Sequence, residues 1–169
     1  FTYPIHCHAE YELNFAGNAA GVRRVVGDSA EVIGDYDLVL ITGKELEHVW
    51  EQHECTSKDI REITIQFSPD LFFDHFVNKN QFDSIRRMLV RAQCGLCFPM
   101  EAILKIYNWI DKLASEEQGF YAVMNFLRIL YELSLYDDAR VLSSSSFAKI
   151  ETFSDSRRVQ KVQKYIGEH

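Results

Sequence analysis

The sequence predicts an α+β fold, mainly β in its first part and mainly α afterwards. Three observations carry this reading. Before Ser68, short apolar runs are split by turn signals. After Ser68, apolar residues recur at helical spacing. The composition, 47% hydrophobic and 25% charged, is that of an ordinary globular chain, and 169 residues suffice for one sizeable domain or one domain with an appendage.

Glu10 to Phe15 alternates polar and apolar, the period of a half-buried strand. Val22 to Val26, then Gly27-Asp28, then Ala30 to Ile33 reads as a hairpin with a tight turn. Tyr36 to Thr42 is nearly continuous in apolar residues, which suits a strand covered on both faces. Val49 and Trp50 sit in another short strand. Ile60 to Phe67 sets Ile63, Ile65 and Phe67 on one face and Glu62, Thr64 and Gln66 on the other. Many short strands separated by turns point to an antiparallel sandwich or small barrel.

Ser68-Pro69-Asp70 is a helix start, with Ser68 as the cap and Pro69 at the first helical position. That helix is expected through about Val77, a second from about Gln81 to Gln93, a third from Pro99 to about Ala114, and a fourth from about Gly119 to Tyr136. In the fourth, Phe120, Val123, Leu127, Leu130 and Ser134 form one stripe, and Met124, Phe126, Ile129, Leu133 and Tyr136 widen it. Such a helix is either enclosed by its own neighbours or buries a second face against a twin, with Phe120, Met124, Leu127 and Tyr131 at the dimer contact. A serine run at Ser143 to Ser146 marks a linker, placed at residues 139–154. A last helix starts at about Asp155, apolar along Val159, Val162 and Ile166 and basic at Arg157, Arg158, Lys161 and Lys164.

The net charge of −7 argues against a segment that grips a phosphate backbone by itself, and favours a small ligand or a second copy as partner. Cys7, Cys55, Cys94 and Cys97 form no disulfide framework and read as reduced thiols of a cytoplasmic protein. No apolar run approaches a membrane span, and no glycine-rich phosphate loop, GxSxG elbow or HExxH motif is present. Cys94-Gly95-Leu96-Cys97 has CxxC spacing, but it lacks the second pair of a zinc site and the strand-then-helix setting of a redox motif.

The residues with chemistry begin at His6-Cys7-His8-Ala9-Glu10-Tyr11-Glu12. In an extended chain His6, His8, Glu10 and Glu12 share a face, and His48 is available from a facing strand. Two readings stay open. Imidazoles and a carboxylate converging inside a barrel can hold a divalent metal with open positions. The same face can instead hydrogen-bond a small polar ligand, with Tyr36 and Trp50, and also Tyr3, Tyr11 and Phe67, as aromatic walls.

These residues carry a family likeness. His6-x-His8-x-x-x-Glu12 followed by Gly17 resembles the first cupin motif, and Gly34-Asp35 through Leu38 to Ile41, then His48, resembles a degraded second one. The second departs from the pattern: Thr42-Gly43 stands near the usual Pro-x-Gly, and the spacing to His48 is long. Phe67-Ser68-Pro69-Asp70-Leu71-Phe72, Gly95-Leu96-Cys97-Phe98 and the long apolar helix are similar to the sensor halves of bacterial AraC/XylS-family transcription regulators. Ser156 to Ile166 resembles the entry into that family's DNA-binding domain.

The resemblance implies a cupin-like double-stranded β-helix barrel over 1–68, a helical dimerisation region over 69–138, a linker over 139–154, and over 155–169 the first helix leading into a helix-turn-helix domain outside this chain. It implies a non-enzymatic sensor of a small effector, such as a sugar or related metabolite. Its partners would be that effector, a second copy, and DNA through the C-terminal domain, with no membrane involved. The cupin motif also implies metal ligation by His6, His8, Glu12 and His48, and with it the alternative of a metal-dependent isomerase or oxygenase.

Overall fold

A computed structural model describes residues 9–71, 78–115 and 119–144. The strands are β1 (Tyr11–Gly17), β2 (Arg23–Val26), β3 (Ser29–Val32), β4 (Tyr36–Ile41), β5 (His48–Glu51), β6 (Arg61–Phe67), β7 (Leu96–Cys97) and β8 (Arg140–Val141). The helices are α1 (Asp83–Arg91), α2 (Met100–Ser115) and α3 (Gly119–Ser134). The fold is α+β, with one sheet of order β6-β1-β4-β7-β8 and another of order β3-β2-β5, every pairing antiparallel.

The layers follow from the period-2 alternation. Leu13 and Phe15 of β1, Leu38 and Leu40 of β4, and Ile63 and Phe67 of β6 join one core with Ile103, Ile106 and Ile110 of α2 and Phe126, Ile129, Leu130 and Leu133 of α3. Ring contact seals that layer, Phe67 meeting Phe126 edge-on at 4.7 Å between centroids. From the opposite face, Ala16, Val39 and Ile41 enter a second core with Val22, Val26, Leu46 and Trp50, so the three-stranded sheet covers the five-stranded one. The apolar run of β4 is thereby explained: Leu38 and Leu40 serve the helices, Val39 and Ile41 the other sheet.

Most helix boundaries lie within a few residues of the sequence reading. Ser68 does cap, its Oγ accepting from the Asp70 amide at 3.1 Å, but Pro69–Leu71 forms a single 3-10 turn and residues 72–77 of the expected helix lie outside the described residues. Single 3-10 turns, Asn80–Phe82 and Ala92–Cys94, flank α1.

Two strands differ from the sequence reading. β7 falls between helices and β8 where the linker was expected to begin, yet Val39↔Cys97 and Leu96↔Val141 extend the large sheet through both. The free edge of β4 needs backbone partners, which β7 supplies and β8 then supplies to β7, neither with any periodicity of its own. Residues 139–144 are therefore docked, and the strand-rich and helix-rich parts share one sheet across the boundary read at Ser68. Among the described residues no helix is long and apolar enough to cross a membrane.

Candidate functional site

The inner faces of the two sheets carry polar side chains as well as the second core. Cross-strand pairing sets Glu31, Arg24 and Trp50 in one row across β3, β2 and β5, with Val26 and His48 opposite each other in the next. From the facing sheet, β1 contributes Glu12 and Asn14, and β4 contributes Asp37. Glu12, Asn14, Arg24, Asp37 and His48 are all buried, His48 completely.

Buried charges persist when they are paired and hydrogen-bonded. Arg24 donates from Nη1 to Asp37 Oδ1 and from Nη2 to Glu31 Oε2, the latter at 2.8 Å. The second Asp37 oxygen accepts from Trp50 Nε1 at 3.2 Å. Asp37 therefore joins the sheets by receiving two donors from the opposite one. The Arg24 Nε–H has no hydrogen-bond partner among the described residues.

His48 and Glu12 face one another, Nε2 to Oε2, at 3.8 Å. The Leu46 carbonyl lies 2.8 Å from His48 Nδ1 and can only accept, so Nδ1 carries the proton and Nε2 is the nitrogen turned toward Glu12. Gln66 Nε2 donates to Glu12 Oε2 at 3.4 Å, and Asn14 Nδ2 donates to Thr64 Oγ1 at 2.9 Å. A groove of about 630 Å³ runs along β6 toward α2 and α3, with Glu62, Thr64, Gln66, Phe67, Val123 and Phe126 among the residues that line it.

The expected site residues separate into groups. Glu12, His48 and Trp50 lie between the sheets. Glu10 is exposed just before β1. His6 and His8, like Tyr3, lie outside the described residues. Tyr36 is a correction: it stands on the helix side of β4, against Phe15 and Tyr107, because its parity is that of Leu38 and not of Asp37. Tyr11 and Phe67 likewise pack edge-on on the helix side. Phe120, Met124 and Tyr131 are exposed on α3, whereas Leu127 is half-buried against the helix-side core. Among the described residues no group of three or more His, Cys, Asp and Glu is placed to hold a metal.

Arg24, Asn14 and Asp37 were missed. The available signal was an ionisable residue inside an apolar strand: Arg24 among Val22, Val25 and Val26, and Asp37 heading the run Leu38 to Ile41. The Cys94 and Cys97 thiols are free, and burial first, with Asp28 and Asp37 adding to it, pushes each above its ordinary pKa. That disfavours the thiolate a redox pair needs.

No protein-family model matches this chain, and no curated protein matches it.

Proposed function

We propose that this chain is the effector-sensing and dimerising part of an AraC-type transcription regulator, with a cupin-like cup formed between the two sheets. The observation that carries the reading is the buried polar set Arg24–Asp37–Trp50 beside Glu12–His48, enclosed by facing antiparallel sheets. A soluble core has no need of so many desolvated polar groups for stability, whereas a pocket that orients a small polar molecule does. Helices cover the other side of the large sheet, and α3 keeps Phe120, Tyr121, Val123, Met124 and Tyr131 exposed, a stripe suited to a second copy. The net charge of −7 supports leaving operator contact to another domain. A small effector bound between the sheets would act by shifting how two DNA-reading units are presented.

The test combines a thermal-shift screen of sugars, sugar acids and small aromatics with sedimentation. A binder raises the melting temperature by mass action, and Trp50→Ala removes the shift. A strictly monomeric chain that no compound stabilises would overturn the proposal.

One observation favours a second reading, a metal-dependent cupin enzyme. His48 is held at Nδ1 by a backbone carbonyl, the support typical of a metal-ligating imidazole, and its Nε2 turns toward the Glu12 carboxylate. Those two would be metal donors, and the metal would act as Lewis acid or oxygen activator. Elemental analysis decides: stoichiometric iron, manganese or zinc that is lost in His48→Ala supports the enzyme, and metal-free folded protein removes it.

A further inference from the structure

The chain's last described residues are held by both sheets at once. β8 closes the edge of the large sheet, and the ladder continues past it: the Leu142 amide donates to Gly95 O at 2.9 Å and the Ser143 amide to Cys94 O at 2.8 Å. The β2–β3 hairpin of the other sheet grips the same segment at two points. Arg140 donates to both oxygens of Glu31, at 2.5 and 2.8 Å. In the hairpin turn, Asp28 Oδ1 accepts from Ser143 Oγ and from the Ser144 amide, each at 2.9 Å.

The packing at this junction requires glycine at two places. A Cβ on Gly27 would fall 2.1 Å from Ser143 Oγ, and one on Gly95 would fall 2.7 Å from Val26 Cγ1; both residues have positive φ. Both carboxylates are held below their ordinary pKa, Glu31 chiefly by Arg140 and Asp28 chiefly by the Ser144 amide.

Glu31 is shared. Its Oε2 accepts from Arg140 and also from buried Arg24, whose other nitrogen is on Asp37. The result is one continuous series, Trp50–Asp37–Arg24–Glu31–Arg140, running from between the sheets to β8. Charges alternate along it, so each ion's hold on one neighbour depends on the other.

We propose that the β2–β3 hairpin is a coupling clamp: the arrangement of Arg24, Asp37 and Trp50 between the sheets sets how firmly residues 140–144 are held, and so how the following chain is presented. Its use by an effector rests on the sensing role proposed above; the clamp itself does not. Removing the Asp37 charge leaves Glu31 as the carboxylate that both arginines share among the described residues, and Arg24 then competes with Arg140 for it.

Hydrogen–deuterium exchange on the ligand-free chain tests this at the Leu142 and Ser143 amides, with the β1 amides gauging global opening. Glu31→Gln, which cuts the clamp directly, and Asp37→Asn, which perturbs it from between the sheets, should each speed exchange at Leu142 and Ser143 on the order of ten-fold more than they speed it at the β1 amides, which carry any global destabilisation. Trp50→Phe should act in the same direction but less, and it keeps the test available if Asp37→Asn does not fold. If Glu31→Gln speeds exchange but neither remote substitution does, the clamp is a static support and the proposal falls. It falls equally if Glu31→Gln has no effect. Because no ligand enters the measurement, such a failure leaves the sensing role standing, and a failed effector screen leaves the clamp measurable.

Discussion

Arg24 of β2 and Asp37 of β4 form an ion pair across the two sheets, with side chains only 2% and 5% exposed. Breaking one partner of such a pair strands a buried charge, which costs more than the pair contributes. Asp37→Asn and Arg24→Met should each lower unfolding stability by about 3–5 kcal/mol. The double substitution should cost clearly less than the sum of the two. Urea titration of the four proteins measures this, and additive losses would show that the pair is not coupled.

Acid should loosen the hairpin before it unfolds the sheets. Glu31 and Asp28 have depressed folded-state pKa values, so the stability they contribute is present above the ordinary carboxylate range and is lost as pH falls through the folded values. For Glu31 the loss begins below about pH 4.5, its unperturbed value, and is moderated by solvent because the side chain is partly exposed. A Glu31→Gln/Asp28→Asn double variant should therefore show a shallower fall of melting temperature on the acid side and no change of slope near neutrality.

Gly95 has φ +74 and no room for a Cβ beside Val26, while a Cβ on Gly34 would meet nothing within 4 Å. Gly95→Ala should cost about 1–3 kcal/mol from backbone strain, with the clash adding to it. Gly34→Ala should be close to neutral. Chemical denaturation of the two variants side by side distinguishes a local packing requirement from a general intolerance of alanine.

The two faces of α3 should respond differently to substitution. Leu130 is fully buried in the helix-side core, and Leu130→Ala should lose about 2–5 kcal/mol. Phe120 is 70% exposed and Met124 is also exposed, so Phe120→Glu and Met124→Glu should leave monomer stability nearly unchanged. On the dimer reading they should weaken self-association at least ten-fold by analytical ultracentrifugation, on the order of 1.4 kcal/mol. A dimer unaffected by both substitutions would place the contact elsewhere.

Much of this protein is legible in its sequence because alternation is local information. The side-chain parity of β1, β4 and β6, the Gly27-Asp28 hairpin, the division between strands and helices, and the long apolar helix all follow from spacing within a dozen residues. The sequence makes His48 available from a strand facing Glu12, and the fold sets its Nε2 3.8 Å from Glu12 Oε2. Tyr36 shares the parity of Leu38, and that parity, rather than its aromatic ring, decides that it faces the helices.

Tertiary structure alone decided the rest. The strands β7 and β8 have two residues each, too short for any period; β7 pairs the open edge of β4 and β8 in turn pairs β7, so both are set by backbone groups that distant segments satisfy. The meeting of Arg24 with Asp37, and of Glu31 with Arg140 more than a hundred positions away, depends on which sheet faces which. A sequence records which side of a strand a residue takes; what waits on that side is set only when distant segments pack, because the cost of burying a charge is repaid by its partner and not by its neighbours in the chain.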